Sequence, residues 1–384
     1  MSVTAAQGFR AAGIAAGIKQ NGNPDLALVV NDGPRLAAAG VFTSNRVKAA
    51  PVLWSEQVLK GGVVSAVILN SGGANACTGP QGFQDTHATA ERVAEVLDGV
   101  NAGEVAVAST GLIGVTLPMD KLLPGVAAAA GELSAHGGEK AAIAIKTTDS
   151  VHKTSVVTKD GWTVGGMAKG AGMLAPGLAT MLVVLTTDAD LESAVLDRAL
   201  RDATRLTFDR VDSDGCMSTN DTVLLLASGA SEVTPEYAEF AAAVREVCDD
   251  LGRQLIGDAE GASKDIKVEV VNAASEADAV EVGRSIARNN LLKCALHGED
   301  PNWGRVLSAI GTTSAAFDPN QLNVAINGVW VCKNGSVGED RELVDMRYRE
   351  VVITADLAAG AETATIWTND LTADYVHENS AYSS

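Results

Sequence analysis

At 384 residues, with 46 % hydrophobic side chains, only 4 % aromatic ones and 39 glycines, the chain can bury a large core of two or three structural units, built mainly from closely packed Ala, Val, Leu and Ile. A formal net charge of −19 argues against a nucleic-acid surface, whose affinity for phosphate comes from clustered Lys and Arg. No apolar run reaches the ~18 residues of a membrane span, and Met1 to Gln20 lacks the n-region and h-region of a secretory signal, so a soluble cytoplasmic protein is expected.

Leu26 to Val30 and Ala37 to Phe42 read as strands joined by the turn cluster Asn31-Asp32-Gly33-Pro34. Val63 to Leu69 is a third strand running into Asn70 to Gly79, a loop of small polar residues that either brings backbone amides to a ligand or only connects. Asp85 to Leu97 has helical spacing and leads to the strand Val105 to Ala108. That strand ends in Ser109-Thr110-Gly111, a common turn in itself, but one whose hydroxyl and glycine N–H can form an oxyanion hole. Leu122 to Leu133 is expected as a helix and Ala141 to Ile145 as a strand ending in Thr147-Thr148-Asp149. Thr158-Lys159-Asp160-Gly161 carries the strongest short hairpin signal in the chain, between Ser155 to Val157 and Trp162 to Val164.

That hairpin delivers the stretch Lys169-Gly170-Ala171-Gly172-Met173-Leu174-Ala175-Pro176-Gly177-Leu178-Ala179-Thr180 to the buried strand Met181 to Leu185. Composition alone makes this a βα or hairpin connection. A hydroxyl at such a turn-to-strand junction can also attack the peptide carbonyl before it, here the one joining Ala179 to Thr180. Hydrolysis of the resulting ester would leave Thr180 with a free α-amine of pKa about 8, its own general base near neutral pH.

Leu191 to Leu206 follows as an amphipathic helix, and Asp212 and Asp214 sit in a capped polar turn without the order of a calcium loop. Ser218-Thr219-Asn220-Asp221 leads into the strand Thr222 to Ala227. Thr234-Pro235 opens a long helix to about Leu255, after which Glu260 lies in a small-residue loop where it faces either solvent or a cationic substrate. Ile266 to Val271 alternates as a strand, and Ser275 with Asp278 caps a helix through Arg288. His297 to Arg305 is a polar interface or a pocket wall. Val324 to Ile326 and Val329 to Cys332 form a second hairpin around Asn327-Gly328, and Val351 to Ala355 and Thr363 to Trp367 are strands. The Ser-rich tail reads as a free terminus, except that Tyr375 and Tyr382 are potential anchors. The five cysteines lack any CxxC pair and are expected to be reduced. The five histidines stand at no metal-ligand spacing, so no metal is expected.

The word Lys-Gly-x-Gly-Met-x-x-Pro-x-x-Ala-Thr-Met-Leu from Lys169 to Leu182 closely resembles the self-cleavage signature of the ornithine acetyltransferase family. Asn70 to Gly79, Ser109 to Gly114, Thr147 to Asp149, Asp258 to Lys264, His297 to Arg305 and Glu378-Asn379-Ser380 follow in that family's order. Departures are mild: Gly177 and Leu178 replace a larger residue and Met, Gly73 stands where Asn is frequent, and Ser384 where Thr is usual. The resemblance implies an α+β protein with a four-layer αββα sandwich core of the self-processing N-terminal-nucleophile type and a smaller C-terminal α/β lobe from about residue 275. It implies cleavage into an α chain, 1–179, and a β chain, 180–384, assembled as an α2β2 heterotetramer. Residue by residue it makes Thr180 the nucleophile and Thr110 with Gly111 the oxyanion hole, and it makes Thr147, Lys169, Thr180, Glu260, Asn379 and Ser384 substrate-binding positions. The activity implied is acetyl transfer from N2-acetylornithine to glutamate in cyclic arginine biosynthesis, without a diffusible cofactor and with acetyl-CoA as a possible second donor. The alternatives are an N-terminal-nucleophile aminopeptidase or amidase of similar fold, and a non-processing binding protein.

Overall fold

The computed structural model describes residues 2–175 and 181–381. The chain divides into two compact units, the first comprising residues through Asp209 with Cys216–Asp258 and the second Arg210–Gly215 with the chain from Ala259 onward.

The first unit contains, in chain order, β1 (Phe9–Ile14), β2 (Leu26–Asn31), β3 (Ala37–Phe42), α1 (Ala50–Val58), β4 (Ala66–Ser71), α2 (Gly79–Val96), β5 (Val105–Thr110) and α3 (Met119–Gly131). It continues with α4 (Gly138–Ala144), β6 (Lys153–Lys159), β7 (Trp162–Lys169), β8 (Leu182–Thr187), α5 (Ser193–Leu206), β9 (Thr222–Ala227) and α6 (Tyr237–Gly257). Two sheets result, one in the order β1-β2-β4-β5 and one in the order β3-β9-β8-β7-β6. Strands β4 and β5 pair parallel, as do β8 and β9, and the other neighbours pair antiparallel.

Alternate residues explain the layering. Val29, Val67, Leu69 and Ala108 of the first sheet pack against Met167, Leu182, Val184, Leu224 and Leu226 of the second. On the other face of the first sheet, Leu28, Val30, Ile68 and Val107 lie under Val93 of α2 and Leu122 and Val126 of α3. Helix α5 packs on β3 and β9, and α6 on β6 and β7, covering the second sheet. The order is therefore helix, sheet, sheet, helix, the expected αββα sandwich. Burial on both faces accounts for the unbroken apolar runs of β2, β4, β8 and β9.

The second unit holds β10 (Asp265–Ala273), α7 (Glu276–Ala287), α8 (Asn290–His297), α9 (Trp303–Ile310), β11 (Asn323–Ile326), β12 (Val329–Lys333), β13 (Ser336–Val337), β14 (Glu350–Asp356), β15 (Glu362–Asn369) and α10 (Ala373–Ala381). Its sheet runs β13-β12-β11-β14-β10-β15. One face carries Val268, Val270, Ile353 and Ile366 against Val282 and Ile286 of α7 and Val306 and Ile310 of α9. Along β10 buried and half-buried residues alternate, so its period-2 pattern is legible.

Several expectations change. Ala141 to Ile145 lies in and just after helix α4 rather than a strand, because a short run of alanines, the strongest helix formers, has no period that separates the two. Strands β2 and β3 join different sheets across the Asn31 turn, where Asn31 Nδ2 donates to Arg35 O and Ala227 O. The tail forms α10, and the polar segment after His297 separates α8 from α9, which Asn289 and Asn302 cap by accepting from the amides of Leu292 and Arg305. The Ser275 cap on α7 and both expected hairpins are present. All five cysteines are free thiols, and among the described residues no helix is long and apolar enough to cross a membrane.

Candidate active site

In the first unit, the C-terminal end of β5 meets the C-terminal end of β7. Thr110 closes β5 with its carbonyl accepting from the amides of Gly72 and Gly73 at 2.9 and 3.1 Å. Gly111 then turns the chain at φ 130°, and a Cβ there would stand 2.6 Å from Gly73 N, so no other residue fits without moving the loop. The Asn70 loop is fixed by side chains: Ser109 Oγ donates to Asn70 Oδ1 at 2.6 Å, and Asn220 Nδ2 donates to Ala74 O at 2.6 Å and Ser109 O at 2.8 Å.

Lys169 ends β7 and is 2 % exposed, yet its Nζ donates to Thr110 Oγ1 at 3.2 Å. A cation buried there needs a countercharge. Asp149 supplies it, accepting from Lys153 Nζ at 2.7 Å, from Gly170 N at 2.6 Å and, through its other oxygen, from Thr147 N at 3.0 Å. Burial would raise the Asp149 titration, but the charges of Lys169 and Lys153 and the Gly170 amide outweigh it and hold the carboxyl well below the usual carboxylate range. Lys153, fully buried, bridges on to Asp258 at 2.6 Å.

Strand β8 starts beside Lys169, which pairs with Leu182. Just before it, Met181 N donates to Asp221 Oδ1 at 3.0 Å and Met181 O accepts from Thr222 N at 3.1 Å. Asp221 has no solvent exposure, and burial pushes its carboxyl well above the usual range against the pull of the Met181 amide, Ser218, Lys169 and Thr43.

Of the site residues expected from sequence, Thr110, Gly111, Thr147 and Lys169 lie together in this unit, with Asp149 linking the last two. Ala179, Thr180 and Ser384 lie outside the described residues. Glu260 and Asn379 are in the second unit, where Asn379 Nδ2 donates to Glu260 Oε2 at 2.9 Å. Sequence alone assigns no role to Asp149, Lys153 or Asp221. For Asp149 the signal was its place in the Thr147-Thr148-Asp149 word. Asp221 had none, since its partner Met181 is 40 residues away. Among the described residues no group of three His, Cys, Asp or Glu is placed to hold a metal ion.

A four-layer αββα body that brings a buried cation, a threonine hydroxyl and a glycine turn to the start of a buried strand has the parts that acyl transfer requires: charge for an anionic substrate and donors for a developing oxyanion. Residues 10–384 match the ArgJ family, and the chain belongs to it. It is 88 % identical over its whole length, and the relative's whole length, to the arginine biosynthesis bifunctional protein ArgJ of Streptomyces avermitilis. To the protein of that name from Mycobacterium tuberculosis it is 59 % identical over all of this chain and 96 % of the relative. A crystal structure of ornithine acetyltransferase complexed with ornithine, also from Mycobacterium tuberculosis, matches at 63 % identity over 47 % of this chain and 96 % of that one, with a TM-score of 0.45.

Proposed function

We propose that the protein transfers the acetyl group of N2-acetylornithine to glutamate, as an enzyme of arginine biosynthesis. The observation that carries the reading is the Lys169 ammonium 3.2 Å from the Thr110 hydroxyl, beside the glycine turn at Gly111 and next to the strand that follows Thr180. Membership of a family whose relatives bear the name arginine biosynthesis bifunctional protein supports it.

In this reading Thr180 Oγ first attacks the carbonyl of Ala179. The peptide bond becomes an ester and water hydrolyses it, leaving an α chain ending at Ala179 and a β chain beginning at Thr180. In turnover, Thr180 Oγ bonds to the acetyl carbon while the C–N bond to ornithine breaks, and the hydroxyl proton passes through the Thr180 α-amine to the departing ornithine amine. Glutamate's neutral amine then attacks the acetyl ester, the Oγ–C bond breaks, and the proton returns to Oγ. Thr110 and Gly111 donate to the oxyanion in both halves. Lys169 takes a substrate carboxylate and Thr147 lines the same end; the family resemblance assigns Glu260, matched to an ammonium group, Asn379 and Ser384 as further substrate-binding positions.

No diffusible cofactor enters this chemistry. Acetyl-CoA is the second donor we assign, in keeping with the word bifunctional in the relatives' names. The assembly is an α2β2 heterotetramer working in the cytoplasm, with neither nucleic acid nor membrane as partner.

Intact mass under denaturing conditions with N-terminal sequencing tests the first step, and a fragment beginning Thr180-Met181-Leu182 is expected. One unbroken chain of 39.3 kDa would instead favour a non-processing binding protein. Acetylglutamate formation from N2-acetylornithine, measured against free acetate, tests the second. Acetate as the main product would mark an amidase.

A further inference from the structure

We propose that Asp221 is a positioning residue for the catalytic end of the β chain: its carboxyl, through the Met181 amide, sets where the Thr180 hydroxyl stands in self-cleavage and in acetyl transfer. The proposal rests on Thr180 being the nucleophile.

Met181 is covalently joined to Thr180, and both of its polar backbone groups are held by consecutive residues. Its N–H donates to Asp221 Oδ1 at 3.0 Å and its carbonyl accepts from Thr222 N at 3.1 Å. The parallel ladder of β8 and β9 begins one step later, at Leu182 opposite Thr222. Asp221 thus makes the bond that carries the strand's order one residue further, toward Thr180. Once the chain is cut, Thr180 is attached to the protein covalently only through Met181, so orientation of its hydroxyl passes through that amide.

Asp221 is itself immobilised. Its carbonyl accepts from Thr43 N at 3.0 Å, and its neighbour Asn220 ties Ser109 O and Ala74 O at 2.8 and 2.6 Å. Asn220 and Asp221 therefore connect the strand end bearing Thr110 to Met181, the residue that follows Thr180 in the chain. The second carboxyl oxygen, Oδ2, is buried with no hydrogen-bond partner among the described residues. A fully buried carboxyl is costly unless its neighbours satisfy it, and among those acting on Asp221, the Met181 amide, Ser218 and Thr43, the Met181 amide is the one that adjoins Thr180. Burial favours the neutral acid, so Oδ1 can remain an acceptor without carrying a full charge into the core.

The test compares wild type, Asp221→Asn, Asp221→Leu and Thr180→Ala by intact-mass cleavage kinetics, by kcat and KM of the cut fraction, and by thermal melting. Asp221→Leu, which fills the space and removes the acceptor, is expected to slow cleavage and lower kcat by about 100-fold with KM unchanged and the fold retained, since ~1 Å of misplacement costs that much. Asp221→Asn, which keeps an oxygen for Met181 N–H, is expected to restore both rates. Wild-type rates in Asp221→Leu overturn the proposal. So does an Asp221→Asn as slow as Asp221→Leu, which would assign the effect to the acid proton. If Asp221→Leu does not fold, Asp221→Ala is read in its place. If no variant lacking the acceptor folds, the role is structural and the proposal fails. An uncut wild type, or Thr180→Ala with wild-type turnover, removes the nucleophile reading itself, an outcome separate from any result on Asp221.

Discussion

Asp149 shows how much one side chain is asked to do. It neutralises two buried ammonium groups, fixes the amide that follows Lys169, and holds the amide of Thr147. Replacing it by Asn keeps an acceptor for Gly170 N–H but leaves Lys169 and Lys153 short of countercharge, with Asp258 still on Lys153. Removing one partner of a buried pair costs about 3–5 kcal/mol, so Asp149→Asn is expected to be destabilised by that order at neutral pH. The sign of the pH effect follows from the direction of the shift. A carboxyl whose folded pKa lies below its unfolded value of about 3.9 stabilises fully above that value and loses the contribution as pH falls through the folded pKa. Wild type should therefore lose stability below about pH 4 more steeply than Asp149→Asn, with the two curves converging in acid. Urea denaturation at a series of pH values measures this, and parallel curves would contradict the assigned role.

At the scale of elements, the loop after α6 and the C-terminal helix depend on one another. Gly261 has φ +61°, and a Cβ on it would lie 2.2 Å from Tyr375 N, inside the first turn of α10. Thr372 Oγ1 donates to Gly261 O at 2.7 Å and accepts from Tyr375 N at 2.9 Å, pinning the same turn. Gly261→Ala should push α10 away and with it the bond from Asn379 to Glu260, at a cost on the order of 1–3 kcal/mol for the strained backbone. The readouts are faster hydrogen exchange in α10 and a raised KM. Gly99→Ala, with φ +76° and nothing within 4 Å, is the control, since it adds only the backbone strain. Equal protection of α10 in Gly261→Ala and wild type would defeat the argument. From sequence the tail reads as a free terminus with tyrosine anchors, because the approach that orders it brings Gly261 to Tyr375, far apart in the chain. Local chemistry was readable where it was self-contained: the Asp160-Gly161 and Asn327-Gly328 hairpins, and the Ser275 cap. Strand β1, Phe-Arg-Ala-Ala-Gly-Ile, offers no such signal and exists because β2 pairs with it. Lys169 and Thr110 could be nominated from their motifs, whereas Asp221 could not, since a buried carboxylic acid is recognised only by what folds around it.

For the whole molecule, the sheet order decides what a cut before Thr180 would do. Strands β3, β6 and β7 precede it and β8 and β9 follow it, yet they share one sheet in the order β3-β9-β8-β7-β6. Two ladders cross the cut, each of six register pairs: β7 with β8 from Val164 opposite Thr187 to Lys169 opposite Leu182, and β3 with β9 from Ala37 opposite Ala227 to Phe42 opposite Thr222. Strands β8 and β9, which follow Thr180, thus lie between strands that precede it, and behind them Leu182, Val184, Leu224 and Leu226 are packed on the first sheet, whose strands all precede Thr180. Separating the two chains would unzip both ladders and expose the layer between the sheets, which is unfolding of the unit rather than dissociation. The cut protein should therefore elute as one species in gel filtration with rising urea and release its two chains only in the transition that also removes the first unit's share of its far-ultraviolet circular dichroism. Release of either chain while that signal is intact would show that the sheet does not hold the halves together.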